Sequence, residues 1–205
     1  MATLYDIKPW FQSLLRPKVA DLAAAGITAN EVTLVALAMS VGVGALFWAL
    51  PNSSIVLLLV VVALAARMAL NAVDGMLARE HGHASPLGAL LNEIADLASD
   101  AALYLPLGLV VEVPATLAVL AAVLGLIVEG TGLAALLVGA PRGYQGPMGK
   151  SDRAFAFGLL AFLLALGLAG SILSTLILLL ISGLAIWTIR NRVVAALDHA
   201  GSATP

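Results

Sequence analysis

The chain has 205 residues, 61% of them hydrophobic and 11% charged, with a mean hydropathy of +1.05. A soluble domain is nearer half apolar and a quarter charged, so this excess cannot be hidden in one small core and excludes a water-soluble globule. The net charge of −2 and the absence of cysteine exclude a basic nucleic-acid surface, disulfides and thiolate metal sites.

Residues 4–26 are amphipathic. Trp10, Phe11, Leu14, Leu15, Val19 and Leu22 form an apolar face, opposed by Lys8, Arg16, Lys18 and Asp21. Trp beside basic residues suits a helix lying in the headgroup layer. The N-terminal stretch lacks the apolar core of a signal peptide, so the first span is expected to act as its own insertion signal. Thr28 or Asn30 can cap that span, and Glu31 suits its first turn.

The spans are predicted at about 31–50, 55–77, 88–110, 115–138, 154–168 and 172–189. Pro51 to Ser54 is a tight turn, and 79–87 is a short polar loop. Glu112-Val-Pro114 breaks the chain after the third span. The stretch 139–153 is a Gly/Pro-rich loop carrying Arg142, Lys150 and Arg153. The expected fold is all-α: a polytopic membrane bundle of six transmembrane helices with an N-terminal amphipathic interfacial helix. Its parts are an interfacial segment 1–30, a membrane domain 31–190 and a tail 191–205.

Of the ten Lys and Arg, Lys8, Arg16 and Lys18 precede the first span, and Arg79 follows the second. Arg142, Lys150 and Arg153 follow the fourth, Arg190 and Arg192 follow the sixth, and Arg67 alone lies inside a span. The opposite turns hold none. This asymmetry places both termini and the two polar loops in the cytoplasm, as in a bacterial inner-membrane protein. No internal repeat supports a transporter made of duplicated halves.

The polar residues inside the spans are costly and need a reason. A helix advances about 100° per residue, so steps of three and four stay on one face. Arg67, Asn71, Asp74 and Ala78 form one stripe on the second span. Asn92, Asp96 and Asp100, with Glu93 beside them, form another on the third. An antiparallel pair joined by the short loop sets the stripes face to face near the cytoplasmic surface. Asp, Asn and Glu without His or Cys make a hard-oxygen set, which favours Mg²⁺, Mn²⁺ or Ca²⁺ over zinc. Simple helix-to-helix pairing is the competing explanation, but clustered acids repel unless protonated or bridged by a cation.

The segment Asn71-xx-Asp74-Gly75-xx-Ala78-Arg79, eight residues, Gly88-xxx-Asn92-xxx-Asp96 resembles the signature of the CDP-alcohol phosphatidyltransferase family. Thr28-Ala-Asn30-Glu-Val-Thr33 is similar to the family's segment before the first span. The resemblance implies transfer of a phosphatidyl group from a CDP-linked lipid, typically CDP-diacylglycerol, to an alcohol or alcohol phosphate, with release of CMP. It implies Mg²⁺ or Mn²⁺ held by Asn71, Asp74, Asn92 and Asp96. It also implies a CDP site at Thr33, Gly75, Ala78 and Arg79, membrane lipids as partners, and a homodimer. Lys150 and Arg153 stand where similar enzymes hold an acceptor phosphate, which suggests glycerol 3-phosphate or an inositol phosphate.

Two positions depart from the pattern. The family has acids where this chain has Asn71 and Asn92, while Glu93 and Asp100 are additional acids near Asp96. Either Asp96 is the general base, or the site is shifted one turn deeper with Asp96 as ligand and Asp100 as base, or activity has been lost. The extra acids favour an active enzyme. A non-catalytic lipid-binding relative and a cation- or proton-coupled transporter are the alternatives. His81 and His83 are expected at the loop surface. Arg67 is expected to pair with Asp100 or Glu129 across the bundle.

Overall fold

Thr28 starts the membrane bundle. Its hydroxyl accepts from the Glu31 backbone N–H at 3.3 Å, and the Glu31 carboxylate accepts from the Thr28 N–H at 2.8 Å. This reciprocal capping satisfies two otherwise unpaired donors. The computed structural model describes residues 4–202, with side chains from residue 11 onward. Trp10 and Lys8, two of the ten residues of the proposed interfacial helix, therefore lie outside the described side chains.

The helices are α1 (Leu4–Ala24), α2 (Ala29–Ala49), α3 (Ser54–Glu80), α4 (Pro86–Tyr104), α5 (Ala115–Ala134), α6 (Lys150–Ala165) and α7 (Ser171–Ser202). Short 3₁₀ segments, Leu105–Leu109 and Ala135–Val138, extend α4 and α5. Among the described residues there is no strand. Ser53 and Ser85 cap α3 and α4 through their hydroxyls, and Pro86 occupies the first turn of α4, where its missing N–H costs nothing. Pro106 ends the α-helical run of α4, since it cannot donate to the preceding turn. Gly139 closes the segment after α5 at φ +76, a left-handed conformation that suits glycine.

Among the described residues, four helices are long and apolar enough to cross a membrane: Ala29–Ala49, Ser54–Glu80, Ala115–Val138 and Ser171–Ser202. The protein is therefore multi-pass. α6, with 16 residues, falls short on length, and the 19-residue α4 carries the acidic stripe. These two correspond to the predicted third and fifth spans. α7 continues past the predicted end of the last span at 189 as far as Ser202, because residues 190–200 contain neither Gly nor Pro.

The main packing pairs are α2 with α3 and α4, α3 with α6, and α5 with α7. Phe47, Leu57, Leu64, Leu103 and Phe157 fill the middle, and the Tyr104 and Phe157 rings stack with centroids 4.1 Å apart. Large apolar side chains such as Ile55, Phe155, Leu137 and Ile172 face outward, as in a lipid-exposed surface. Small residues set the helix spacing. A Cβ on Gly44 would lie 2.4 Å from the Ala102 carbonyl oxygen, so α2 and α4 touch backbone to backbone there. This contact fixes α4, and with it the acidic stripe, against α2.

Candidate active site

α3 and α4 run antiparallel, and their polar stripes meet at one end of the bundle. A cavity of about 270 Å³ opens there, between α2, α3, α4 and the first turn of α6. Thr33, Asn71, Asp74, Gly75, Ala78, Arg79, Asn92 and Lys150 all line it. Asp96, Asp100 and Arg153 do not. They lie in successive layers behind it, at 8%, 1% and 0% exposure.

The cavity wall is built locally. The Thr33 hydroxyl stands 2.9 Å from Asp74 Oδ2 and 3.1 Å from the Ala29 carbonyl oxygen. The Arg79 guanidinium folds back over Gly75, within 3.1 Å of where a Cβ would sit, and makes no ion pair among the described residues. Gly88 lets the Asn30 side chain lie close against α4: Asn30 Oδ1 would be 2.6 Å from a Cβ there and would have to move aside. His83, expected at the surface, lines the cavity beside Asn30 and Ser85, and its Nδ1 is buried without a partner. Loop closure between α3 and α4 brings it in, which no local sequence signal marks.

Behind the cavity the charges form a continuous chain. Lys150 Nζ donates to Asp96 Oδ2 and so stands between that carboxylate and the cavity. Arg67 donates to the Asp96 carbonyl at 2.9 Å, to Asp96 Oδ1 at 3.2 Å and to Asp100 Oδ1. Arg153 holds Asp100 Oδ2 from Nη2 at 2.8 Å and from Nε at 3.3 Å, and Glu129 Oε1 at 2.8 Å. Arg142 bridges Glu129 and Glu93. Of the two partners expected for Arg67, it takes Asp100, and it adds Asp96. Pairing through Arg142 was not legible from the sequence, because its loop position fixes no helical face. Glycines make room for the cations: a Cβ on Gly125 would lie 2.9 Å from Arg153 Cδ, and one on Gly132 would lie 2.8 Å from Arg192 Nη1.

The donor set suits a hard divalent cation. Among the described residues no group of three or more His, Cys, Asp or Glu could hold a metal ion. The cavity instead offers the Asp74 carboxylate and the amides of Asn71 and Asn92. The Asn71 Nδ2 position is buried without a hydrogen-bond partner. Turning that amide over puts a carbonyl oxygen there, which a cation would satisfy.

A sequence profile of the CDP-alcohol phosphatidyltransferase family matches residues 26–197. The inner membrane protein YnbA of Escherichia coli is 45% identical over 190 residues, covering 93% of this chain and 94% of that protein. Two crystal structures of the Mycobacterium tuberculosis phosphatidylinositol phosphate synthase share the fold. The one with CDP-DAG bound has a TM-score of 0.74 at 18% identity, covering 88% of this chain and 92% of that one. The one in complex with manganese and citrate has a TM-score of 0.75 at 19% identity, covering 88% of each chain.

Proposed function

The chain belongs to the CDP-alcohol phosphatidyltransferase family, its function is membrane phosphatidyl transfer in phospholipid synthesis, and we propose how its residues divide that work. The observation that supports the assignment best is the convergence of Asn71, Asp74, Gly75, Ala78, Arg79 and Asn92 on one cavity.

The donor is CDP-diacylglycerol. Thr33, Gly75 and Ala78 take the cytidine side, and Arg79 meets the diphosphate with charge-assisted hydrogen bonds. Asn71, Asp74 and Asn92, which line the cavity, would hold Mg²⁺ or Mn²⁺, with Asp96 behind them committed to Arg67 and Lys150. When bound, the ion neutralises the diphosphate and stabilises the leaving oxygen. A second, apolar cavity of about 380 Å³ between α3 and α6 runs from Ser151 past Met68 to Phe162. It suits an acyl chain of the donor.

Asp96 is the general base, and Asp100 is not. Both Asp100 oxygens are engaged by buried guanidinium groups, so no substrate proton reaches it. Arg67 fixes the Asp96 carboxylate through one oxygen and the residue's own carbonyl. The other oxygen faces Lys150, a flexible side chain that can yield its place to an acceptor hydroxyl. The hydroxyl oxygen attacks the phosphorus of the phosphatidyl group, the diphosphate bridge breaks, CMP leaves with the bridging oxygen, and the proton passes to Asp96.

The six helices after α1 form the membrane bundle of a homodimer, α1 lies along the cytoplasmic face, and both termini and the cavity face the cytoplasm. The experiment is CMP release from CDP-diacylglycerol by the purified protein, with Mg²⁺ or Mn²⁺ and a panel of acceptors. Release that requires both metal and an alcohol supports the transferase. No release with any acceptor overturns it in favour of a non-catalytic relative.

A further inference from the structure

We propose that the acceptor is an uncharged hydroxyl compound rather than an alcohol phosphate, an inference that rests on the transferase reading above. Position in the sequence makes Lys150 and Arg153 look like a phosphate site. Their partners point the other way.

From the cavity inward and back to the surface, the ion-pair chain runs Lys150, Asp96, Arg67, Asp100, Arg153, Glu129, Arg142 and Glu93. Cations and carboxylates alternate in equal number, so the formal charge cancels. Arg192 adds a further cation, but it donates to the carbonyls of Val128 at 2.5 Å and Gln145 at 3.3 Å, and lies 3.9 Å from Glu129. Arg67, Arg153 and Arg192 are each 2% exposed or less.

A phosphate monoester brings close to two negative charges and is held by cationic N–H groups that are free to take its oxygens. Arg153 has no such freedom. Turning it toward a ligand leaves Asp100 Oδ2 and Glu129 Oε1 without their guanidinium partner, so that Asp100 keeps Arg67 and Glu129 keeps Arg142, a loss that is costly in an apolar interior. Gly125, whose missing Cβ gives the Arg153 stem its seat, shows how closely that guanidinium is housed. Lys150 is the member of the chain that lines the cavity, and its charge is balanced by Asp96. The wall beside the base is therefore two amides, Asn71 and Asn92, and one neutralised ammonium, while Arg79, the other cation lining the cavity, is taken by the donor diphosphate. Such a wall exchanges hydrogen bonds with hydroxyls and keeps no cation spare for an acceptor phosphate.

The test compares kcat/KM for glycerol and inositol with that for glycerol 3-phosphate and inositol 1-phosphate, using intact protein in detergent or nanodiscs. The expected result is a preference of about ten-fold or more for the uncharged acceptors. Equal or better use of the phosphates overturns the proposal and leaves the transferase reading standing. Glu129→Gln takes one carboxylate from both Arg153 and Arg142 and should raise kcat/KM for glycerol 3-phosphate several-fold. If that variant is not monodisperse, Glu93→Gln at the surface end of the chain replaces it. An unchanged value in a folded variant also overturns the proposal. If no acceptor gives CMP, the transferase reading fails and the inference falls with it, an outcome distinct from a preference for the phosphates, which overturns the inference alone.

Discussion

Asp100→Asn tests the proposal that Asp100 is a structural anchor and Asp96 the catalytic base. In the native protein the Asp100 carboxylate receives Arg67 on one oxygen and two Arg153 nitrogens on the other, all fully buried. Removing the charge leaves each arginine one carboxylate: Asp96 at 3.2 Å for Arg67 and Glu129 at 2.8 Å for Arg153. Breaking a buried ion pair costs about 3–5 kcal/mol, and the retained partners and the Asn carbonyl keep this case near the lower end. For a chain of this length, each kcal/mol moves the midpoint by about 2–4 °C, so a drop of roughly 6–12 °C is expected. The assay is loss of the monodisperse size-exclusion peak after heating, paired with CMP release well below the transition. Folded Asp100→Asn should keep its rate within about ten-fold, whereas Asp96→Asn should lose about 10²- to 10⁴-fold with the smaller thermal shift. A thermally unchanged Asp100→Asn variant with abolished turnover would refute the assignment and make Asp100 the base.

Asp74→Ala and Asp96→Ala should each abolish CMP release. Only Asp74→Ala should also abolish Mn²⁺ binding measured by titration, because Asp96 is shielded by Lys150 and contributes less to affinity. Chelation should stop the wild-type reaction, and added Mg²⁺ or Mn²⁺ should restore it, a result that persistent turnover in excess EDTA would contradict. Gly44→Ala places a Cβ 2.4 Å from the Ala102 carbonyl and should destabilise by about 1–3 kcal/mol, since backbone cannot step aside. Gly42→Ala in the same helix meets nothing within 4 Å and should stabilise by up to about 1 kcal/mol. Because the chain has no cysteine, Ser54→Cys and His81→Cys report sidedness directly with an impermeant maleimide. Labelling of His81→Cys from the cytoplasmic face and of Ser54→Cys from the opposite face is expected, and the reverse pattern refutes the orientation.

The membrane class, the helices and the two polar stripes were legible in the sequence because each depends on short-range properties. Hydrophobic runs of bilayer length, caps such as Thr28–Glu31 and steps of three and four along a helix are all set within a few turns. The same periodicity placed Asn71, Asp74 and Asn92 on facing stripes, and the cavity brings them together. Helix ends were less legible. The α-helical part of α4 stops at Tyr104, where Pro106 follows, and α7 runs on to Ser202 with nothing to break it.

What the sequence could not determine was which charges meet. Arg153 and Lys150 are three residues apart at the start of α6, yet one is sealed between Asp100 and Glu129 while the other reaches the cavity rim. Arg142, His83 and Arg192 sit on loops or late in the last helix, where no period fixes a direction. Their partners depend on how α4, α5, α6 and α7 pack around Gly125 and Gly132. Helical periodicity sets the face a residue occupies, and so the sequence by itself determined the two stripes and the cation chemistry they suit. The depth of each residue and the carboxylate that neutralises each arginine depend on contacts between segments distant in the chain. Only the tertiary structure decided these, and with them which aspartate, Asp96, stands behind Lys150 at the cavity and which, Asp100, is sealed between Arg67 and Arg153.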